Sequence, residues 1–269
     1  MITIHGFPAF KKHADKHLHI AICMPIYKPN WDMFVAAIQS VEFQGYGRYG
    51  LFIADREASL KVPETWFLDL ENRELGDRKG FKCAFNYIRS NDTNVIAGVN
   101  TALREAHGGV LYFMCADDLL CDGTLALVND LFQGREAEPF WIYGRTETID
   151  AEGKRLGVSG GPFTYEDMLI HNRIGTNSVF YNRKMLEITG TFNEQYRYAA
   201  DYDLWMRMWQ VRPPVFVDYV LGSFRRHAAQ ISEVSNTAVV NEAFTVSDKY
   251  IAAYRKNGFL PYPEWEIKA

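Results

Sequence analysis

The chain has 269 residues, 48% of them hydrophobic and 23% charged, and a net charge of −4. That is enough length and apolar content to bury a substantial core, and it excludes a disordered or low-complexity chain. The acidic balance excludes the basic footprint of a nucleic-acid-binding protein. Four cysteines, Cys23, Cys83, Cys115 and Cys121, form no CxxC pair, which argues against a structural zinc and fits a reducing, cytoplasmic compartment. Residues 1–19 mix His and Lys with apolar side chains, unlike the apolar core of a signal peptide. No run is long and apolar enough for a bilayer, so at most peripheral membrane association is expected.

In chain order, residues 19–27 (HIAICMPIY) read as a buried strand stopping at Pro25. Asn30 is placed to cap a helix whose apolar face is Trp31, Phe34, Val35, Ile38 and Val41. Gly45, Gly47 and Gly50 break it, and residues 49–54 (YGLFIA) form a second strand ending at Asp55. Strand, helix and strand in this order predict a parallel βαβ unit. Residues 61–90 are less regular. Residues 93–107 predict a helix stopped by Gly108-Gly109. Residues 110–114 (VLYFM) are the best buried strand, running straight into Cys115-Ala116-Asp117-Asp118. Asp122 is placed to cap a helix to about Phe132, and residues 140–143 form a further strand. Residues 149–154 (IDAEGK) are a turn and 178–181 a strand. Residues 201–211 form a helix ended by Pro213-Pro214. Residues 215–221 form another strand, leading to Arg225-Arg226-His227. A last helix covers 236–254.

The expected class is therefore α/β, a single domain with a mostly parallel, Rossmann-like central sheet flanked by helices. In such sheets ligands bind beyond the carboxyl ends of the strands, here at Tyr27, Asp55 and Asp117-Asp118. Carboxylates converging there repel one another unless a hard divalent cation such as Mg²⁺ or Mn²⁺ sits between them and a phosphate. From spacing alone, Asp118 or Asp122 serves equally well as a helix cap. No GxxxxGK(S/T) loop, GxGxxG turn or GxSxG elbow is present, which disfavours a P-loop enzyme, a dinucleotide dehydrogenase and a serine hydrolase.

Several segments, taken in order, resemble the GT-A glycosyltransferases of family 2. Residues 24–27 (MPIY) resemble the opening PxYN strand, and Ser40-Val41 with Gln44 resembles the SVxxQ helix end. Residues 100–120 (NTALREAHGGVLYFMCADDLL) resemble NxGxxxAxGeyixxxxxDDxl. Tyr143-Gly144 and residues 149–154 resemble the YGD and IDxxGk pieces. Residues 190–207 (GTFNEQYRYAADYDLWMR) resemble GxfdExlxxaxDyDLWlR, and residues 224–232 (FRRHAAQIS) resemble yRxHxxqxS. The likeness covers about residues 20–232.

The resemblance implies a single GT-A domain over 1–269, with a donor half at about 19–121, an acceptor and catalytic half at 122–232 and a helical extension at 233–269. It implies an inverting hexosyl-type transferase of the kind used in polysaccharide biosynthesis, taking a nucleoside-diphosphate sugar, preferably a UDP-sugar, and a carbohydrate or lipid-linked acceptor. Pro25, Tyr27, Asp55, Asn100 and Asp118 would bind the donor nucleotide. Asp117 and His227 would hold Mn²⁺ or Mg²⁺, Arg225 and Arg226 would face the diphosphate, and Asp201 would be the general base. Read without the resemblance, Asp201 is more readily a plain helix cap and His227 a surface or satisfied histidine. Three positions depart from the pattern. Cys115 replaces the first Asp of Asp-x-Asp-Asp, Asp55-Arg56-Glu57-Ala58-Ser59 replaces Asp-Asp-x-Ser, and Val99 replaces an Arg before Asn100. They keep open a non-catalytic nucleotide-sugar-binding module. A nucleotidyltransferase is the other alternative, although its Gly-rich loop and following Lys are missing. Loop 157–174 and the C-terminal segment are the expected acceptor surfaces.

Overall fold

The computed structural model describes residues 2–5, 18–60, 82–230 and 236–258. Its strands are β1 (Ile2–His5), β2 (Ile20–Ile26), β3 (Arg48–Arg56), β4 (Lys82–Ser90), β5 (Val110–Phe113), β6 (Leu119–Leu120), β7 (Trp141–Ile149), β8 (Arg155–Ser159), β9 (Val179–Asn182) and β10 (Val215–Arg225). They join one sheet in the order β1-β10-β7-β9-β5-β2-β3-β4, with β6 paired to β10 and β8 to β7. The pairs β2/β3, β3/β4, β2/β5, β7/β10 and β1/β10 are parallel, and β9 is antiparallel to both β5 and β7. Two antiparallel steps restore direction. The carboxyl ends of β2, β3, β4, β5, β7 and β10 therefore share one edge of the sheet.

Burial explains the layers. Strand β2 is buried at every position. Ile20, Ile22 and Met24 pack with Phe34, Ala37, Ile38 and Val41 of α1 (Trp31–Glu42). Ala21 and Cys23 pack on the other face with Ile96, Val99, Ala102 and Leu103 of α2 (Val95–Glu105). Successive side chains point to opposite faces, so a strand buried throughout needs a helical layer on each. The remaining helices are α3 (Thr124–Phe132), α4 (Tyr165–Ile170), α5 (Arg183–Thr189), α6 (Ala200–Val211) and α7 (Asn236–Asn257). The expected α/β class with a mostly parallel sheet is the one observed. Among the described residues no helix is long and apolar enough to cross a membrane.

The structure corrects four details. Strand β2 runs through Pro25, because its ladder with β5 has ended at Cys23 and the missing N–H costs nothing there. Residues 82–90 are a full strand paired with β3, not irregular chain. Strand β10 continues past Leu221 to Arg225, and β7 continues to Ile149, so both reach the functional edge. Asp122 does not cap α3. That place is held by Gly123 at φ 74, a left-handed turn open to glycine. The Asn30 cap is as expected, its Oδ1 accepting from the Met33 N–H.

Candidate functional site

The edge described above carries a polar cluster built from three elements. The turn after β5 places the Cys115 sulfur and one oxygen each of Asp117 and Asp118 within 4.8 Å of one another. Its floor comes from α1. Ser40 Oγ accepts from the Leu120 N–H, and Gln44 donates to the carbonyl of Cys121 while accepting from Leu125. The SVxxQ segment is thus the mount of the turn. From the far end of the chain, His227 Nε2 lies 2.9 Å from Asp117 Oδ2. Asp117 is the open member, its side chain 34% exposed.

Asp118 is buried, and its Oδ1 accepts from the Arg225 N–H across 2.9 Å. Burial, then the charge of Asp117, holds its carboxyl well above the usual carboxylate range, against the pull of the Arg225 N–H. Cys115 is partly buried, and its thiol is pushed well up by burial and then by the charges of Asp118, Asp117 and Asp201. Asp201 is therefore within electrostatic reach of the same turn. It stands in the first turn of α6, half-buried, with Oδ2 accepting from Thr176 Oγ1 (2.7 Å) and Asn172 Nδ2 (3.2 Å) and Oδ1 from the Tyr202 N–H. It is not the helix N-cap, which is Ala199. Burial outweighs these bonds and raises its proton affinity; the helix terminus does not dominate.

The expected nucleotide residues separate into two groups. Tyr27 is exposed at the end of β2, with the Arg56 guanidinium 4.4 Å and the Lys28 ammonium 4.9 Å from its ring centre. Pro25, two residues before it, is buried, and a Cβ at Gly98 would sit 2.9 Å from its Cβ. Asp55 is at the end of β3, but its carboxylate accepts from the Ser59 N–H and Oγ, the Leu60 N–H and the Tyr87 hydroxyl. It shapes the loop at 56–60 rather than presenting free oxygens. That loop is strained, since Glu57 and Ala58 hold φ of 59° and 47°.

Two of the expected residues have their polar groups engaged within the chain. Asn100 is buried and spends its amide on the Phe192 carbonyl and N–H and on Glu194 Oε1. It clamps the segment before α6. Arg225 is likewise buried. Its Nε donates to the Asp117 carbonyl, and its Nη1 donates to those of Asp150 and Ala151. Its fork holds two turns together. Arg226 is exposed beside it, its backbone N–H on the Ile149 carbonyl. Ser232, the end of the last resembling segment, lies outside the described residues.

Thr176 and Asn172, which hold Asp201, and Tyr87, which holds Asp55, were missed in the sequence because nothing local marks them. Arg56 Nε, Ser90 Oγ and Asp92 Oδ2, at the carboxyl ends of β3 and β4, are buried polar atoms without a hydrogen-bond partner among the described residues. Such atoms are costly unless something satisfies them.

No family model matches the chain. An uncharacterized glycosyltransferase of Rickettsia conorii is 24% identical over 229 residues, 82% of this chain and 36% of that protein. A PGL/p-HBAD biosynthesis glycosyltransferase of Mycobacterium tuberculosis is 28% identical over 214 residues, 77% of this chain and 75% of that one. The chain spans only 20% of a further relative, an uncharacterized protein of Sinorhizobium fredii, at 26% identity. Among solved structures, S. aureus TarS in complex with UDP aligns at TM-score 0.56 and 14% identity, over 90% of this chain and 74% of that one. TarS in complex with UDP-GlcNAc aligns at TM-score 0.55 and 14% identity, over 79% and 59%. The chain shares its fold with TarS, and relatives that carry a functional name are glycosyltransferases.

Proposed function

We propose that this chain, a glycosyltransferase by its fold and its named relatives, moves a sugar from a UDP-sugar to an acceptor hydroxyl with inversion, using the cluster of Asp117, His227 and Asp201. The observation that carries the reading is this convergence. Asp117 and His227 stand 110 residues apart yet lie 2.9 Å from one another, and the charge of Asp201, from helix α6, reaches the Cys115 thiol of the same turn. UDP as the nucleotide is taken from the complexes of TarS.

A divalent cation fits the residues present. Asp117 Oδ2 and His227 Nε2, 2.9 Å apart in a hydrogen bond, are a carboxylate oxygen and an imidazole nitrogen that such a cation would accept as ligands. Burial and then the charge of Asp117 raise the proton affinity of Asp118, and a cation beside the pair would relieve the second of these. Asp117 and His227 would hold the ion, whose chemistry is to neutralise charge developing on the departing diphosphate. Arg226, exposed at the rim, adds a cation on that side. Asp118 stays in the support of the turn, held by Arg225. Tyr27 offers its ring to the base, and the partnerless atoms of Arg56, Ser90 and Asp92 offer hydrogen bonds to the nucleoside. Asp201 receives the acceptor hydroxyl proton as that oxygen attacks the anomeric carbon. Its raised proton affinity suits a group that must hold the proton near neutral pH. Attack opposite the leaving diphosphate inverts the centre. The acceptor, carbohydrate or lipid-linked, would approach from residues 157–174, the end of β8 through α4, in a half distinct from the donor half at 19–121.

The test is UDP release from a panel of UDP-sugars with Mn²⁺ or Mg²⁺ and candidate acceptors. Asp201→Asn should lower kcat by about 10²-fold or more while leaving UDP affinity intact, and Asp117→Ala should lose both affinity and turnover. Unchanged activity in both variants would refute the assignment. Cys115, where the pattern has Asp, supports one other outcome: donor binding without turnover, the mark of a binding module.

A further inference from the structure

We propose that Glu242, on the C-terminal helix α7, is a positioning residue for the general base. This rests on the role given to Asp201 above. Helix α6 begins without a side-chain cap, because its N-cap is Ala199. The unmatched N–H groups at a helix start need an acceptor, usually a Ser, Thr, Asp or Asn side chain at that position. Here the Tyr202 N–H in the first turn is taken by Asp201 Oδ1, and the residues leading into the helix find their acceptor on another element. Glu242 Oε1 accepts from the Arg197 N–H across 2.9 Å, and Oε2 accepts from the Ala199 N–H across 2.7 Å and from the Tyr198 N–H. Three successive backbone N–H groups converge on one carboxylate, the arrangement of an anion nest.

The nest lies immediately before Asp201, in the stretch that must fix where that carboxylate stands. From the other side Asn100 clamps Phe192 and Glu194. The approach to α6 is therefore held at both ends, by α2 through Asn100 and by α7 through Glu242. Helix α7 is in turn fastened independently of Glu242. Lys249 Nζ donates to Asp203 Oδ1 across 3.0 Å, and Ser247 Oγ donates to the Leu169 carbonyl of α4. Glu242 thus transmits a fixed helix to the backbone that carries the base. It touches neither the donor crevice at β2 and β3 nor the Cys115–Asp118 turn, so its loss should displace the base and leave donor binding alone.

The experiment is steady-state kinetics of the full chain with UDP-sugar, metal and acceptor, beside melting temperatures. Glu242→Ala should lower kcat about tenfold or more, the scale expected for misplacing a catalytic group, with the donor KM within about twofold. Glu242→Gln keeps an acceptor oxygen for the nest and should recover most of kcat. Ser247→Ala removes another fastening of α7, serving as the stability control, and should lower the melting temperature with kcat unchanged. Full kcat in Glu242→Ala, or a loss matched by Ser247→Ala at equal destabilisation, or no recovery in Glu242→Gln, overturns the proposal while Asp201→Asn remains inactive. If instead Asp201→Asn is as active as the unaltered chain, the reading of Asp201 fails and the role of Glu242 falls with it.

Discussion

Asp201 is the residue on which opposing effects are most evenly set. Burial raises its proton affinity, while bonds from Thr176, the Tyr202 backbone and Asn172 favour the ionised form. A protonated carboxyl accepts no proton from the acceptor, so activity should fall on the acid side, with the limb above the ordinary carboxylate value of 3.8. Thr176→Val removes a bond that stabilises the anion, so its carboxyl should hold the proton to still higher pH. The acid limb of the kcat/KM profile should move upward; a limb that stays put, with Asp201 otherwise competent, contradicts the role. Arg225 gives a second test at this scale. Its guanidinium serves three backbone carbonyls, so Arg225→Met leaves buried acceptors unmatched and should cost about 3 kcal/mol of stability, read from the urea midpoint. A diphosphate-binding arginine would instead lose UDP affinity at unchanged stability.

At the level of elements, the seating of the 3-10 turn Thr176–Ser178 under β10 decides whether Thr176 reaches Asp201. Gly222 of β10 lies so close to that turn that a Cβ there would stand 2.1 Å from the Asn177 carbonyl oxygen, a backbone atom that cannot swing aside. Tyr112 donates to the same carbonyl from β5. Gly222→Ala should therefore cost about 3 kcal/mol and lower kcat together with stability. Gly109→Ala, with open space around its Cβ, should be close to neutral in the same denaturation assay. Such contacts mark what the sequence leaves hidden. The buried strand before Cys115, the Asn30 cap and the helix at Asp201 were legible because apolar period and cap chemistry are local. The strand at 82–90 was not, because Lys82, Asn86 and Arg89 interrupt its apolar run and its identity comes from pairing with β3. The partners of Asn100 and Arg225 were hidden for the same reason. A polar side chain in a binding motif reads as ligand-facing until the structure reveals Phe192 against the one and the Asp150 turn against the other. Glu242 carries no sequence signal, since its partners are backbone N–H groups of residues 197–199.

Over the whole molecule, the sheet order is what makes the site. The Cys115 turn follows β5 and His227 follows β10, with β9 and β7 between them in the sheet, so the two can meet only in the folded chain. A ligand held by Asp117 and His227 consequently binds the native state and not the unfolded one, and must stabilise the fold by mass action. Mn²⁺ with UDP at one hundred times the dissociation constant should contribute about 2.7 kcal/mol. For a chain of this size that corresponds to a rise in melting temperature of about 5–10 °C. The sign of its pH dependence follows from Asp118. Its carboxyl holds a proton above the usual carboxylate range through burial and the charge of Asp117, and a cation beside it favours the ionised form. Binding therefore releases a proton, and the thermal shift should grow as pH rises through the range where Asp118 ionises. Chelation should reverse the shift, Asp117→Ala should abolish it, and Asp201→Asn, which leaves the cation residues in place, should keep it. A shift that survives Asp117→Ala in full would move the cation, and with it the diphosphate, away from the turn after β5.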